Sequence, residues 1–364
     1  MNRSGDDAAG RPGGRAGDVV ILGCGAAAIT HARTLHRVAP RTAVHFASRD
    51  PERARTWSRR NGGAGAFGSY EEALRDPRVS LAVVTVPTDR HLALTLEALD
   101  AGMDVVVEKP AFATPADFRT VADRCRTSGG RVFVAENYFY RPIRRRLTAL
   151  LAEGAVGDPL LLRVNAVKRQ SASDWRADRA RAGGGGLFEG GIHWVNFMAS
   201  LGLTVEAVTA YGAGDRVPAS PPTGGPGADP TRHALPAEET LLVVLRYRGG
   251  AVGSLAFSWE VPSPLQGVRL STLYGREGSI WFESNGIFLL LRGRRIRLEV
   301  PGMRDLNGRR SMWRDLLDAH RTGREPLLTL SDAERDVRLV LEAYRSAAQN
   351  RHSLFPPGEG APEE

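Results

Sequence analysis

Ten residues constrain this chain more than any other stretch: Val19-Val20-Ile21-Leu22-Gly23-Cys24-Gly25-Ala26-Ala27-Ala28. A continuous apolar run is what a strand buried on both faces of a parallel sheet needs. The run passes directly into a glycine turn and then a helical stretch to about Val38. Gly23 permits the tight turn, Gly25 lets a pyrophosphate approach the backbone at the helix N-terminus, and Ala28 fills the third small position. The pattern is the opening of a Rossmann dinucleotide-binding unit, with Gly23, Gly25, Ala26 and Ala27 expected at the cofactor. Short glycine patterns recur in a chain with 41 glycines, so the surroundings must decide.

Those surroundings repeat strand and helix with short loops. A second strand, 43–47, ends at Ser48-Arg49, about 20 residues past the glycines, where the ribose-reading residue of a dinucleotide site falls. An acid there favours NAD. A hydroxyl beside a guanidinium suits a 2′-phosphate, so NADP(H) is the expected preference and NAD(H) the alternative. Asp50 reads as a helix N-cap, followed by Pro51 at the first helical position. Further elements are expected at 69–75 (helix), 81–86 (strand), His91 to Ala101 (helix), 105–107 (strand), 115–128 (helix) and 132–135 (strand). The alternation argues for a doubly wound parallel sheet, whose strand ends carry Thr85, Pro87, Glu108 and Lys109.

Composition narrows the class without naming a partner. The charge of +8 and pI near 10.0 come from 49 basic residues scattered along the chain, with no nucleic-acid-binding motif. Nucleic acid is therefore not expected as a partner. Two isolated cysteines, Cys24 and Cys125, suit a reducing, cytoplasmic setting. No apolar run approaches the roughly 20 residues that span a bilayer, so no membrane association is expected. Residues 1–17 and 351–364 read as a disordered leader and tail.

Glu108-Lys109-Pro110, with TVPTDRH at 85–91 and AENYFYRP at 135–142, closely resembles the Gfo/Idh/MocA family, the glucose-fructose oxidoreductase and inositol dehydrogenase group. The resemblance covers about residues 18–350. It implies an N-terminal Rossmann domain (18–140) and a C-terminal α+β domain (141–350) with a large, mainly antiparallel open sheet. It also implies nicotinamide-dependent hydride transfer at a sugar or polyol carbon. Thr85, Pro87, His91, Glu108 and Lys109 complete the expected cofactor set. Lys109 matches the family lysine near the nicotinamide, where an ammonium stabilises charge developing on an alkoxide. The family's exposed sheet face implies a homodimer or homotetramer.

The second half carries LFEGGIHW, residues 187–194, after Gly183 to Gly186. Within an expected helix, 187–201, Glu189 and His193 fall four apart. The residues alone leave an exposed helix pair, two metal ligands or a core histidine open. The family pattern, an acid and a histidine four apart, implies catalysis. His193 then becomes the general acid or base, because an unperturbed imidazole pKa near 6.5 suits proton exchange at neutral pH. Glu189, where aspartate is commoner, would orient the substrate or the imidazole, and the helix glycines would allow close approach to the cofactor. No metal is expected.

Tyr138, Tyr140, Trp175, Arg176 and Lys168 are further substrate candidates, the aromatics for stacking on a sugar ring and the cations for an anion. Core packing and solvated charge are their alternatives. Strands are expected near 205–211, 239–247, 251–259, 268–275, 279–283 and 287–291, with a proline- and glycine-rich insertion at 215–238 and closing helices at 309–322 and 331–349. The expected activity is NADP(H)-dependent reduction or oxidation of a carbonyl or secondary alcohol of a sugar, cyclitol or related small metabolite. A nicotinamide-dependent redox-elimination glycosidase and a non-catalytic nucleotide sensor are the competing readings.

Overall fold

The run 19–22 lies inside β1 (Asp18–Leu22), at the centre of an all-parallel six-stranded sheet in a computed structural model of the chain. The structure describes residues 17–170, 175, 179–213, 240–263 and 267–349. Its other strands are β2 (Val44–Ala47), β3 (Gly65–Phe67), β4 (Val79–Val84), β5 (Asp104–Glu108) and β6 (Val132–Ala135). Their order is β3-β2-β1-β4-β5-β6, so the winding reverses between β1 and β4. Ligands bind outside the carboxyl ends of strands at such a reversal.

The helices α1 (Ala26–Val38), α2 (Pro51–Arg60), α3 (Tyr70–Arg75), α4 (His91–Asp100) and α5 (Pro115–Ser128) alternate with these strands. Local chemistry fixes their starts. Asp50 caps α2 by accepting from the Glu52 and Arg53 amides at 3.0 and 3.1 Å. Thr114 and Asp117 form a reciprocal capping box on α5, with Pro115 in its first turn. The short edge strand β3 has no sequence signal, since two of its three residues are Gly65 and Ala66.

After α6 (Pro142–Ala152) the chain builds an eight-stranded sheet from β7 (Pro159–Val167), β8 (Val205–Gly212), β9 (Thr240–Tyr247), β10 (Val252–Ser258), β11 (Leu270–Gly275), β12 (Ser279–Glu283), β13 (Leu289–Arg292) and β14 (Ile296–Glu299). Its order is β14-β13-β12-β11-β7-β10-β9-β8. All pairings are antiparallel except β7 with β10. The fold is thus α/β, with a Rossmann sheet followed by a mainly antiparallel open sheet. β14 was not expected, because Ile296-Arg297-Leu298-Glu299 is too short and charged to stand out.

One face of the large sheet is buried through Leu241, Val243, Leu255, Phe257, Ile280 and Phe282. The connection between β7 and β8 crosses that face as α7 (Arg179–Ala182), a π-turn (Leu187–Gly191) and α8 (Ile192–Ala199). α9 (Arg309–Thr322) and α10 (Leu330–Gln349) return to join the halves. His320 of α9 donates to Asp104 of β5 at 2.7 Å, and the Tyr344 hydroxyl of α10 accepts from the Phe188 amide at 3.1 Å. The 215–238 insertion, Arg176, and the leader and tail apart from Gly17 lie outside the described residues. Among the described residues, no helix is long and apolar enough to cross a membrane.

Candidate active site

Two cavities meet at the carboxyl ends of β1, β4 and β5. The smaller, about 430 Å³, is lined by the glycine turn, Arg53, Thr85, His91 and Trp175. The larger, about 560 Å³, extends to the antiparallel sheet. Ala26, Ala27, Glu108, Lys109 and Glu189 belong to both walls, so one continuous crevice passes Lys109.

The first cavity fits a dinucleotide. Gly23 has φ +113°, and a Cβ there would lie 2.9 Å from Thr85 Oγ1, so only glycine suits the turn. Gly25 has open space where a Cβ would stand. α1 begins with no side-chain cap and no acid in its first turn, an arrangement that favours an anion at its amides. Thr85 donates its hydroxyl to the Leu22 carbonyl at 3.0 Å. Ser48, buried at the end of β2, accepts from the Asp50 amide at 3.2 Å, and Arg49 is exposed beside it. Ser48, Arg49 and Pro87 lie outside the lining of both cavities. Arg53, which the sequence did not single out, lines the first cavity and donates to the Cys24 carbonyl at 2.6 Å.

His91 lines this cavity but has its ring nitrogens turned to backbone. Nδ1 faces the Pro110 and Ala111 carbonyls at 3.0 and 3.1 Å, and Nε2 faces the Val86 carbonyl at 2.9 Å. Burial lowers its pKa. It ties the turn after β4 to the Lys109-Pro110 turn, whose peptide bond is cis.

Glu108 and Lys109 anchor the shared wall. Glu108 accepts from His31 Nε2 at 2.8 Å and from the Lys109 amide at 3.1 Å. The Trp313 indole donates to His31 Nδ1 at 3.0 Å. An indole N–H only donates, so Nδ1 must accept and His31 is the neutral Nε2–H tautomer. Burial would raise the Glu108 carboxyl, but the His31 hydrogen bond and the Lys109 charge outweigh it and hold the pKa below the usual carboxylate range. The Lys109 ammonium donates to the Glu189 carbonyl at 2.7 Å and to its carboxylate at 3.4 Å.

Glu189 is buried, which removes the exposed helix pair as a reading. The residues 187–191 form a π-turn rather than regular α-helix, which shifts Glu189 and His193 from the simple four-residue stacking. Glu189 meets Lys109. His193 instead meets Glu136, whose two carboxylate oxygens lie 2.6 and 2.8 Å from Nδ1. Glu136 is 3% exposed and also accepts from the Tyr138 amide at 2.9 Å. Tyr138 stacks on the imidazole, ring centroids 4.2 Å apart at 10°. A carboxylate on Nδ1 holds the proton there and leaves Nε2 as the acceptor edge of a neutral ring. His193 lines the larger cavity, so it is not simply a core histidine.

The glycines of the turn serve a different approach from the one expected. A Cβ on Gly190 would overlap the Trp259 ring of the antiparallel sheet, so this glycine lets the turn settle on the sheet. Among the substrate candidates, Tyr138 and Lys168 line the larger cavity, and Trp175 lines the cofactor-side cavity. Tyr140 is a core residue: it is 3% exposed, it donates to Asp315 at 2.7 Å, and burial raises its pKa. Arg269 and Asn285 also line the larger cavity, unannounced by any motif. Glu136 had a readable signal, a carboxylate one residue past a parallel strand. His31, Trp313 and Arg269 had none, because only tertiary packing brings them in. Among the described residues, no group of three His, Cys, Asp or Glu side chains is arranged to hold a metal ion.

Comparison with known proteins decides the family. Residues 18–136 match the profile of the oxidoreductase family with NAD-binding Rossmann fold, and residues 144–281 match the Gfo/Idh/MocA C-terminal domain. The chain belongs to the Gfo/Idh/MocA family. A bovine (Bos taurus) trans-1,2-dihydrobenzene-1,2-diol dehydrogenase is 31% identical over 232 residues, 62% of this chain and 63% of the relative. The match thus spans less than two thirds of that relative's length. Aldose-aldose oxidoreductase from Caulobacter crescentus, complexed with glycerol, superposes with a TM-score of 0.77 at 23% identity, covering 93% of this chain and 99% of that one. GenD2 from gentamicin A biosynthesis, in complex with NAD, superposes with a TM-score of 0.74 at 25% identity, covering 94% and 98%. A Gfo/Idh/MocA chain with a crevice along its glycine turn has the means to hold a nicotinamide dinucleotide.

Proposed function

We propose that this protein is an NAD(P)-dependent oxidoreductase, preferring NADP(H), that acts on a carbonyl or secondary alcohol of a sugar, cyclitol or related small metabolite. One observation carries the reading: the Lys109 ammonium and the His193 imidazole line one cavity that continues into the glycine-turn crevice. The bound nicotinamide supplies or accepts the hydride. Gly25 and the first amides of α1 would hold its pyrophosphate, and Thr85 and Arg53 border the same crevice.

In the oxidising direction His193 Nε2 takes the hydroxyl proton, and the buried Glu136 carboxylate stabilises the imidazolium that forms. Lys109 donates to the oxygen as it gains charge. Glu189 positions Lys109 through two of the ammonium's contacts and leaves a third donor for substrate. In the reducing direction the same groups act in reverse, with His193 returning the proton. The names of the relatives specify a diol and aldoses, which agrees with this substrate class.

The NADP(H) preference is read from Ser48 and Arg49 at the end of β2, with Arg53 nearby on α2. The protein acts as a cytoplasmic homodimer or homotetramer. Tyr211, Leu242, Trp281, Leu290 and Leu298 leave an apolar outer face on the large sheet, which suits a second copy. A monomer by light scattering at micromolar concentration would contradict that assembly.

A cofactor-consumption screen over ketosugars, nucleotide ketosugars, cyclitols and small carbonyl metabolites tests the activity. Turnover with at least about tenfold higher kcat/KM for NADP(H) than for NAD(H), equivalent to about 1.4 kcal/mol, is expected. Cofactor binding without turnover over the whole panel would remove the catalytic reading.

A further inference from the structure

The wall that the antiparallel sheet gives to the larger cavity carries a buried cation that forms no salt bridge among the described residues. Arg269, just before β11, is 9% exposed and lines the cavity. Its side chain has one hydrogen bond, from Nη2 to Asn285 Oδ1 at 2.8 Å, and its Nε is buried with no partner. The guanidinium stands 5.2 Å from the Trp194 ring, and no carboxylate pairs with it among the described residues. Glu283, the acid beside it, accepts instead from the amides of Arg269, Asn285 and Ile287 and from the Asn285 side chain.

Behind Trp194 lies a second buried cation. Arg141 is 3% exposed, stacks 3.5 Å from the Tyr138 ring, bonds the Ser284 carbonyl at 3.3 Å, and likewise has a buried Nε without a partner. Burial depresses the pKa of both guanidinium groups. Lys168 and Arg309, both exposed, add cations at the cavity rim. The carboxylates lining this cavity, Glu108 and Glu189, are both engaged at the Lys109 end. A buried guanidinium whose donors stay unpaired is costly, and the cost falls when an anion arrives.

We propose that Arg269, held by Asn285 and joined by Lys168 at the rim, forms a subsite for an oxyanion on the substrate, a carboxylate or a phosphate carried on the sugar or cyclitol whose hydroxyl or carbonyl meets Lys109 and His193. The proposal rests on the hydride-transfer reading for the other end of the cavity and adds the substrate's charge. Guanidinium recognises a planar or tetrahedral oxyanion with paired N–H donors, and Asn285, whose own amide donates to Gly267 and Glu283, fixes the guanidinium by accepting from its Nη2. The substrate class becomes an acidic sugar or a sugar phosphate rather than a neutral polyol.

The test titrates the full chain, saturated with cofactor, with D-glucose, D-glucuronate and D-glucose 6-phosphate, read by tryptophan fluorescence and calorimetry. At least one charged ligand is expected to bind at least about tenfold tighter than glucose, the worth of one charge-assisted contact. Glucuronate or the phosphate as the tighter partner then identifies the oxyanion. Arg269→Gln should bring that ratio to about one while leaving glucose binding unchanged, and Arg269→Lys should keep part of it. Raising salt should narrow the preference in the wild type and not in Arg269→Gln.

Lys109→Ala separates the two ideas, since it should abolish turnover and leave the charge preference intact. Charge preference without turnover in the wild type would defeat the hydride-transfer reading and leave the subsite standing. Equal affinity for glucose and both charged ligands, or an unchanged ratio in a folded Arg269→Gln, would overturn the subsite.

Discussion

The cofactor half and the substrate half of the crevice are built by different means. On the cofactor side the essential contacts come from backbone: a glycine at φ +113°, a helix start and a strand end, all within residues 19–28. On the proposed substrate side they come from side chains of four separate segments, carrying Lys109, Glu136, Glu189 with His193, and Arg269, brought together by packing across the two sheets. A backbone site leaves a contiguous signature, because the turn must be written in adjacent residues. A side-chain site need leave none. The cofactor half should therefore respond to changes of shape, and the substrate half to changes of charge and proton position.

The largest expected effects fall on the substrate half. Lys109→Ala and His193→Ala should each lower kcat/KM by at least about a hundredfold, with cofactor affinity within about threefold of wild type in His193→Ala, whose side chain lines only the larger cavity. Steady-state kinetics with a separate cofactor titration checks both, and a large loss of cofactor binding would erase the contrast between the halves.

On the other side, Gly25→Val should weaken cofactor binding by about tenfold or more while leaving the melting temperature nearly unchanged, because its Cβ would enter open crevice. Gly23→Ala should do the opposite first, costing about 1–3 kcal/mol of stability, since its φ of +113° disfavours any side chain. Thermal unfolding and cofactor titration of the pair would sharpen the comparison most if the two effects separate cleanly.

Glu136→Gln should lower kcat by about tenfold with a smaller change in KM, because an amide holds the His193 tautomer less firmly and gives no charge to the imidazolium. An altered pH profile should accompany the loss. Unchanged kcat and pH profile in this variant would leave Glu136 as core packing.

The smallest effect concerns pH and stability. The folded-state pKa of Glu108 is lowered from its ordinary value of 4.5, so the unfolded chain binds its proton more readily. The ionised carboxylate then stabilises the fold fully above about pH 4.5, and this is lost as pH falls through the lower folded-state value. Glu108→Gln should cost about 2 kcal/mol at neutral pH and progressively less on acidification. Denaturant unfolding at several pH values checks the sign, and a difference that grows on acidification would contradict it.

The same contrast explains what was legible in the sequence. Most strands and helices were placed to within a few residues, because their apolar runs and caps, such as Asp50 and Thr114, are local. β3 and β14 were missed because neither has a burial pattern of its own. At the candidate site, motifs single out Lys109, Glu189 and His193, and the fold brings all three to the wall of one cavity. The π-turn at 187–191 then paired Glu189 with Lys109 and left Glu136 to meet the imidazole, which no spacing rule along a regular helix would give. Glu136 lay inside the quoted AENYFYRP stretch without an assigned role. Arg269 and His31 were silent, since each acquires meaning only beside residues far away in the chain, Trp194 and Trp313.

The proposed chemistry has His193 move a proton at the oxygen that Lys109 stabilises. The pH dependence of kcat/KM, measured for the wild type and His193→Ala with the same substrate and cofactor, tests it most directly. A wild-type limb reporting one essential ionisation is expected, absent from His193→Ala, with the residual activity of the variant partly restored by added imidazole. An identical limb in both proteins, with turnover in His193→Ala within about threefold of wild type, would contradict it.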